Sequence, residues 1–235
     1  MFKNYGFCPC CEQVTQFSAS GEWLRDQYLC DLCKCLPRER ALMYCVDRFM
    51  PGWRQAAIHE SSPSPRGASL RLQRDGRNYV ASQYFADVPS GSTHQGWRCE
   101  DLEALSFGDA SVDLHVTQDV MEHVLDPHAV FREIGRTLRP GGMHIFTVPL
   151  VNRDKPTQVC AVRAPDRTVE HLVAPTFHGS PLSSEGSLVT HNWGFDIVEA
   201  IWDAAGMSTR IVILDLLEMG IRAELIEVLV SVKRA

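Results

Sequence analysis

The stretch from Val112 to Pro149, VDLHVTQDVMEHVLDPHAVFREIGRTLRPGGMHIFTVP, constrains the fold more than any other part of the chain. Val112–Thr117 is a short apolar run broken by Asp113 and His115, the pattern of a largely buried strand. Asp126-Pro127 predicts a helix start, because an Asp N-cap satisfies an orphan backbone N–H and Pro suits the first helical position. Val130, Phe131, Ile134 and Leu138 then follow at helical spacing and make one apolar face. Arg139-Pro140-Gly141-Gly142 ends that helix, and Met143–Val148 is strand-like again. Strand, helix and strand within about 38 residues is the size of a βαβ unit with a parallel sheet. The polar loop Gln118–His123 then falls at a carboxyl end of the sheet, where open α/β folds bind ligands.

Asp113-Leu114, Val120-Met121-Glu122-His123-Val124, Asp126-Pro127 and Leu138-Arg139-Pro140-Gly141-Gly142 follow one another in a familiar register. With them the chain resembles the class I S-adenosylmethionine-dependent methyltransferases, in particular a type 11-like methyltransferase domain. The resemblance implies a Rossmann-like α/β fold: a seven-stranded sheet with helices on both faces and S-adenosylmethionine as cofactor. It carries no information about the methyl acceptor.

The 235 residues suffice for one α/β domain and a small module, and 45% apolar with 22% charged residues is an ordinary globular composition. No run of about 18 apolar residues and no signal-peptide pattern stands in the sequence, so a cytoplasmic protein without a membrane span is expected. A net charge of -6 argues against broad binding to nucleic acid.

Six of the nine cysteines lie between positions 8 and 35. Cys8-x2-Cys11 and Cys30-x2-Cys33 have the spacing of a four-thiolate zinc site, two tight knuckles that reach one ion tetrahedrally. Cys10 and Cys35 are alternative ligands by register, or bystanders. A module of this size (residues 1–36) cannot build a sufficient apolar core, so a structural zinc ion is expected to hold it folded. Over residues 1–50 six Lys/Arg balance six Asp/Glu, which favours a structural or substrate-shaping role over RNA binding. Residues 37–54 read as a linker helix, with Leu42, Cys45 and Phe49 on one face and Arg38 and Arg40 as solvated charges.

Residues 55–235 are the expected methyltransferase domain. Its first strand, near Gln55–His59, runs into His59-Glu60-Ser61-Ser62-Pro63, which has no G-x-G and so makes a nicotinamide cofactor improbable. The small Ser61 and Ser62 suit the amino-acid end of S-adenosylmethionine, and Glu60 or His59 its ammonium group. After the second strand, Asn78–Ser82, the residues Ser82, Gln83 and Tyr84 stand where the resemblance places the ribose. Following a short third strand, Trp97–Cys99, the resemblance assigns Asp101 to the adenine amine and Leu102 to the ring; a turn role for Asp101 is the alternative. Gln118 falls near the methyl donor. Asp119 and His123 are base candidates if the acceptor carries a proton, or else hold the loop, and His178 is a second base candidate.

Leu150–Gly194 shows little periodicity and carries His171, His178, His191 and Trp193, which predicts an ordered lid over the acceptor (residues 150–195). The histidine spacings match no compact metal pattern. A helix at Asp196–Ala205 stopped by Gly206, then strands at Met207–Leu217 and Glu224–Lys233, give an antiparallel finish. The leading expectation is methyl transfer to a small-molecule or glycan-like acceptor. The alternatives are an RNA methyltransferase that uses the zinc ribbon, and a non-catalytic binding module that keeps the fold.

Overall fold

The computed structural model describes residues 2–179 and 186–234. Three antiparallel strands open the chain: β1 (Lys3–Cys8), β2 (Gln13–Ala19) and, after the single-turn helix α1 (Leu24–Gln27), β3 (Tyr28–Cys30). Helix α2 (Pro37–Phe49) follows, with Pro37 in its first turn and the Glu39 carboxylate accepting the Leu36 N–H at 2.7 Å. A 3-10 turn at Trp53–Gln55 delays the next strand, β4, to Ala57–Ser61, two residues later than the sequence suggests.

Helix α3 (Gly67–Asp75), β5 (Asn78–Gln83), β6 (Thr93–His94), β7 (Trp97–Cys99) and β8 (Val112–Gln118) come next, then α4 (Pro127–Thr137) and β9 (Leu138–Thr147). Asp126 caps α4 through its side chain, accepting the Ala129 N–H at 2.9 Å, and Val130, Phe131, Ile134 and Leu138 are fully buried. Arg139–Gly142 does more than stop the helix. Register moves from Val112↔Leu138 to Leu114↔Met143, so the four residues bulge out of β9, with Gly141 at φ +78.

The segment from 150 to 195 contains only strands of two or three residues among those described: β10 (Gln158–Val159), β11 (Ala161–Arg163), β12 (Val169–His171), β13 (Phe177–His178), β14 (Ser187–Leu188) and β15 (His191–Asn192). They pair as β10–β15, β11–β12 and β13–β14. Helix α5 (Ile197–Ala205) ends on left-handed Gly206 at φ 61, and β16 (Ser208–Val212) and β17 (Val228–Val232) finish the fold.

The main sheet has the order β16-β17-β9-β8-β4-β5-β7-β6, with β4, β5, β7, β8 and β9 parallel. The seven expected strands are present. An eighth, the two-residue β6, pairs antiparallel at one edge and is too short to leave a period in the sequence. From β4 the chain moves outward through β5 and β7, then returns to the other side for β8 and β9. The β4–β8 boundary is therefore the switch point.

Helices α2 and α3 cover one face of this sheet and α4 and α5 the other. The first core joins the N-terminal strands to the sheet: Phe17, Tyr28, Leu42, Val46, Leu72, Leu114, Ile145 and Val228 pack in one buried cluster. The 37–54 segment is thus a layer between the cysteine module and the sheet, more than a linker. Arg40, expected in solvent, is fully buried, donates to the carbonyls of Tyr28 and Gly220, and lies 4.7 Å over the Phe17 ring. Gly6 allows the closest approach, since a Cβ there would sit 2.0 Å from the Glu218 carbonyl oxygen. No helix of the described residues is long and apolar enough to cross a membrane.

Candidate functional site

A cleft of about 1180 Å³ opens at the carboxyl ends of β4, β5 and β8. Parallel strands that end together leave a row of loops there, and the chain reversal between β4 and β8 separates those loops into a crevice. One wall is Ser61 and Ser62 after β4, Gln83 and Tyr84 after β5, and Asp101 and Leu102 after β7. Gln118, Asp119, Glu122 and His123 after β8 form a second. Trp23, Arg25 and Asp26 of the N-terminal module, with Arg38 of α2, form a third, and Phe177, His178, Val189 and His191 of the lid close a fourth.

The loop without G-x-G still turns as a glycine loop would. Ser62 takes φ 54, a left-handed conformation normally left to Gly, and its N–H bonds the Ser82 carbonyl at 2.8 Å. Glu39 of α2 braces the far side, accepting from Arg66 Nε at 3.1 Å and Ser64 Oγ at 3.3 Å. Asp101 is oriented by its own turn, Oδ1 accepting the Glu103 N–H at 2.9 Å.

His59, Glu60 and Ser82, named from the sequence as cofactor contacts, do not line the cleft. Glu60 is fully buried behind it and accepts from Ser69 at 2.6 Å, from Tyr79 at 2.7 Å and from Gln118 Nε2 at 2.7 Å. Burial pushes its carboxyl above the usual range against those three bonds. It therefore positions Gln118. His59 Nε2 meets Ser82 Oγ at 2.8 Å and its Nδ1 meets His115 Nδ1 at 3.0 Å; His115 Nε2 reaches Thr137 Oγ1 at 2.8 Å. The Thr137 hydroxyl also lies 2.8 Å from the Glu133 carbonyl and donates there, so both rings are satisfied neutral, each donating in turn. Burial depresses His59 to about 3, with the Arg98 charge adding to it, and holds His115 well below its ordinary value.

Asp119 does line the cleft but is already committed. Its Oδ2 accepts Arg25 Nη2 at 2.6 Å and Arg38 Nε at 2.9 Å, and Oδ1 accepts Thr147 Oγ1 at 2.9 Å. Burial opposes ionisation, but the two guanidinium groups outweigh it and hold the carboxyl below the usual range. An ionised carboxylate held by two cations is a weak base. No local pattern announces the Asp119–Arg25 pair, because Arg25 is 94 positions away in a module with its own metal signature. Asp119 also takes φ 51, where the chain leaves β8.

His123 and His178 sit with their rings 5.2 Å apart, edge to face. Burial lowers both below the ordinary imidazole value, so each is neutral at neutral pH. Glu122 has its carboxyl group buried at the cleft, with neither oxygen hydrogen-bonded among the described residues. The lid is laced to this loop: Thr190 N–H donates to the Glu122 carbonyl at 2.8 Å, and Arg163 pairs with Glu103 at 2.8 Å. His171 is exposed on β12 and takes no part.

At the ends of β1 and β3 the four sulfur atoms of Cys8, Cys11, Cys30 and Cys33 lie within 4.8 Å of one another. Cys8–Cys33 and Cys11–Cys30 separations are 3.8 and 3.9 Å. A zinc–thiolate tetrahedron with bonds near 2.3 Å has edges of about 3.8 Å, so the donor set fits that ion. Cys10 and Cys35 gather around Cys8 as a second buried group, with Cys35 3.5 Å from Cys8.

Residues 73–146 match the family model described as a methyltransferase domain; the match starts after the Ser61–Ser62 loop and takes in Gln83, Asp101 and Gln118. Among solved structures, an S-adenosylmethionine-dependent methyltransferase from Mesorhizobium loti is similar at TM-score 0.52 and 14% identity, over 83% of this chain and 98% of that one. The YcgJ protein from Bacillus subtilis is similar at TM-score 0.50 and 11% identity, over 83% and 98%. A 1,6-didemethyltoxoflavin-N1-methyltransferase from Burkholderia thailandensis, solved with its substrate and S-adenosylhomocysteine, is similar at TM-score 0.50 and 14% identity, over 84% and 79%. No curated protein sequence matches the chain. The chain thus carries a methyltransferase-domain segment within the fold of the S-adenosylmethionine-dependent methyltransferases.

Proposed function

We propose that the protein transfers a methyl group from S-adenosylmethionine to a small-molecule or glycan-like acceptor. The observation that carries this reading is the cleft at the switch point, where Ser61–Ser62, Gln83–Tyr84, Asp101–Leu102 and Gln118 converge from four strand ends. Its volume exceeds what a nucleoside-sized ligand needs and leaves room for a second molecule. Asp101 accepts from the adenine amine, with the Leu102 N–H at the ring. Gln83 bonds the ribose hydroxyls without a charge and Tyr84 covers the adenosine. Ser61 and Ser62 offer backbone N–H groups and hydroxyls to the carboxylate. Bound S-adenosylmethionine supplies an already activated methyl on a sulfonium, so the chain's main task is alignment.

Asp119 is a positioning residue: through Arg25 it fastens the cysteine module, and through Arg38 helix α2, to the loop after β8. Where the acceptor carries a proton, the neutral imidazoles of His123 and His178 are the available acceptors for it. Zinc in the Cys8–Cys11–Cys30–Cys33 cluster is structural in this reading and keeps the Trp23, Arg25 and Arg38 wall in place. A small acceptor is favoured because the lid and that wall enclose the cleft, and because the chain carries net charge -6. Methyl-tritiated S-adenosylmethionine incubated with pools of hydroxyl- and amine-bearing metabolites, and separately with total RNA, tests this. Label in the small-molecule fraction supports the reading; label in RNA alone overturns the acceptor class.

A further inference from the structure

Glu122, His123 and His178 face the cleft, and holding S-adenosylmethionine does not use them. The Glu122 side chain is 3% exposed, and among the described residues neither of its oxygens has a hydrogen-bond partner. Burial and the nearby Asp119 charge push this carboxyl well above the usual range, so it is held as the neutral acid unless a bound cation takes the proton's place. Its neighbours are His123 Nε2 and His178 Nδ1, each 3.8 Å from Glu122 Oε1. That distance is too long for a hydrogen bond, but two ligand atoms bound at about 2.1 Å to one ion lie about 3–4 Å apart. The three donor atoms all fall within 4.8 Å of one another.

The surroundings prepare the same set. His123 Nδ1 lies 2.8 Å from the Leu188 carbonyl, which can only accept, so Nδ1 carries the proton and the Nε2 lone pair points to Glu122. An outer hydrogen bond of this kind is what metal-ligating histidines have. Two nearby cations, Arg25 and Arg38, are matched by Asp26 and Asp119, so neither is free to pair with Glu122. The histidine spacings within the lid hid the grouping, because two of its three ligands come from the loop after β8 and only His178 from the lid.

We propose that Glu122 Oε1, His123 Nε2 and His178 Nδ1 bind one divalent first-row transition-metal ion at the acceptor end of the cleft. Two imidazoles and one carboxylate suit such an ion better than magnesium or calcium, which take oxygen ligands. Three protein ligands leave open positions for an acceptor oxygen. This role rests on the methyl-transfer reading; the binding of the ion does not. With the lone pairs of His123 Nε2 and His178 Nδ1 on the ion, the two imidazoles are no longer proton acceptors, and a bound acceptor hydroxyl gives its proton to solvent instead. Its oxygen bonds the methyl carbon as the carbon–sulfur bond breaks, and S-adenosylhomocysteine leaves.

The test is a cobalt(II) titration of full-length protein whose cysteine cluster has first been filled with zinc. The wild type should take up one cobalt with the weak visible bands of nitrogen and oxygen ligands and no thiolate charge-transfer band. His178 is nearly half exposed on a two-residue strand, so His178→Ala should fold normally by circular dichroism yet bind cobalt at least about tenfold more weakly. Glu122→Gln should do the same. No cobalt uptake by the wild type, or equal uptake by wild type and His178→Ala, overturns the proposal. Calorimetry with S-adenosylmethionine on the same samples separates the two readings. Donor binding without cobalt uptake removes the metal site alone, and cobalt uptake without donor binding supports the site and removes its methyl-transfer role.

Discussion

Asp119 and Asp101 are two carboxylates on one cleft with opposite assignments. Asp119 accepts two guanidinium groups and a hydroxyl, so its loss strands Arg25 and Arg38 at a partly buried interface. Asp119→Ala should cost about 3 kcal/mol, the low end for breaking a buried pair, and thermal melting checks it. A variant as stable as the wild type would remove Asp119 from its positioning role. Asp101 has one oxygen in its own turn and lines the cleft. A charge-assisted hydrogen bond of about 1.5–3 kcal/mol makes Asp101→Ala bind S-adenosylmethionine about 10- to 150-fold more weakly, with little change in melting temperature. The resemblance named Asp101 and Gln83 as candidates and the small polar side chains named Ser61–Ser62, each near the end of an expected strand. Partners far apart in sequence were not legible: the Asp119 arginines and the unpartnered state of Glu122 exist only once the module and the loop after β8 meet.

On the element scale, the sheet carries an unusual polar row. His59, His115 and His144 face one another in register across β4, β8 and β9, all buried. His144 stacks on Phe146 at 4.1 Å and meets Thr117 Oγ1 at 3.0 Å, and burial depresses it to about 3. In the unfolded chain these imidazoles take protons near the ordinary 6.5, whereas His59 and His144 resist until about 3 in the folded protein. Protons therefore favour the unfolded state across that window, and stability falls as pH falls from about 6.5 towards 3. His144→Leu should flatten the pH dependence of urea unfolding by up to about 1.4 kcal/mol per pH unit in this range. An unchanged slope would mean that the row is not held neutral. The strands bearing these histidines were readable from their apolar runs, and so was α4 from its cap and spacing. The lid strands were not, because two- and three-residue pairs leave no periodic signal, and the bulge in β9 looked like a plain helix stop.

For the whole molecule, the cysteine module and the sheet share one core through α2, and the module also supplies a wall of the cleft. Removing metal from the cysteine cluster should therefore loosen more than residues 1–36. Chelation is expected to lower a single cooperative unfolding transition of the entire chain, followed by far-UV and near-UV circular dichroism together. Two separate transitions, with only the lower one sensitive to chelator, would show that the module stands apart from the sheet. The sequence divides the chain into module, linker and domain because each carries its own local signature. Their shared packing depends on Arg40, Gly6 and the 217–220 segment, whose meeting no local pattern announces. The central claim is that the cleft without a glycine-rich loop still binds the methyl donor. Titration calorimetry of zinc-loaded wild type with S-adenosylmethionine and S-adenosylhomocysteine tests it most directly. One-to-one binding of both, weakened in Asp101→Ala, is the predicted result; no measurable heat with either ligand from folded, zinc-loaded protein would contradict it.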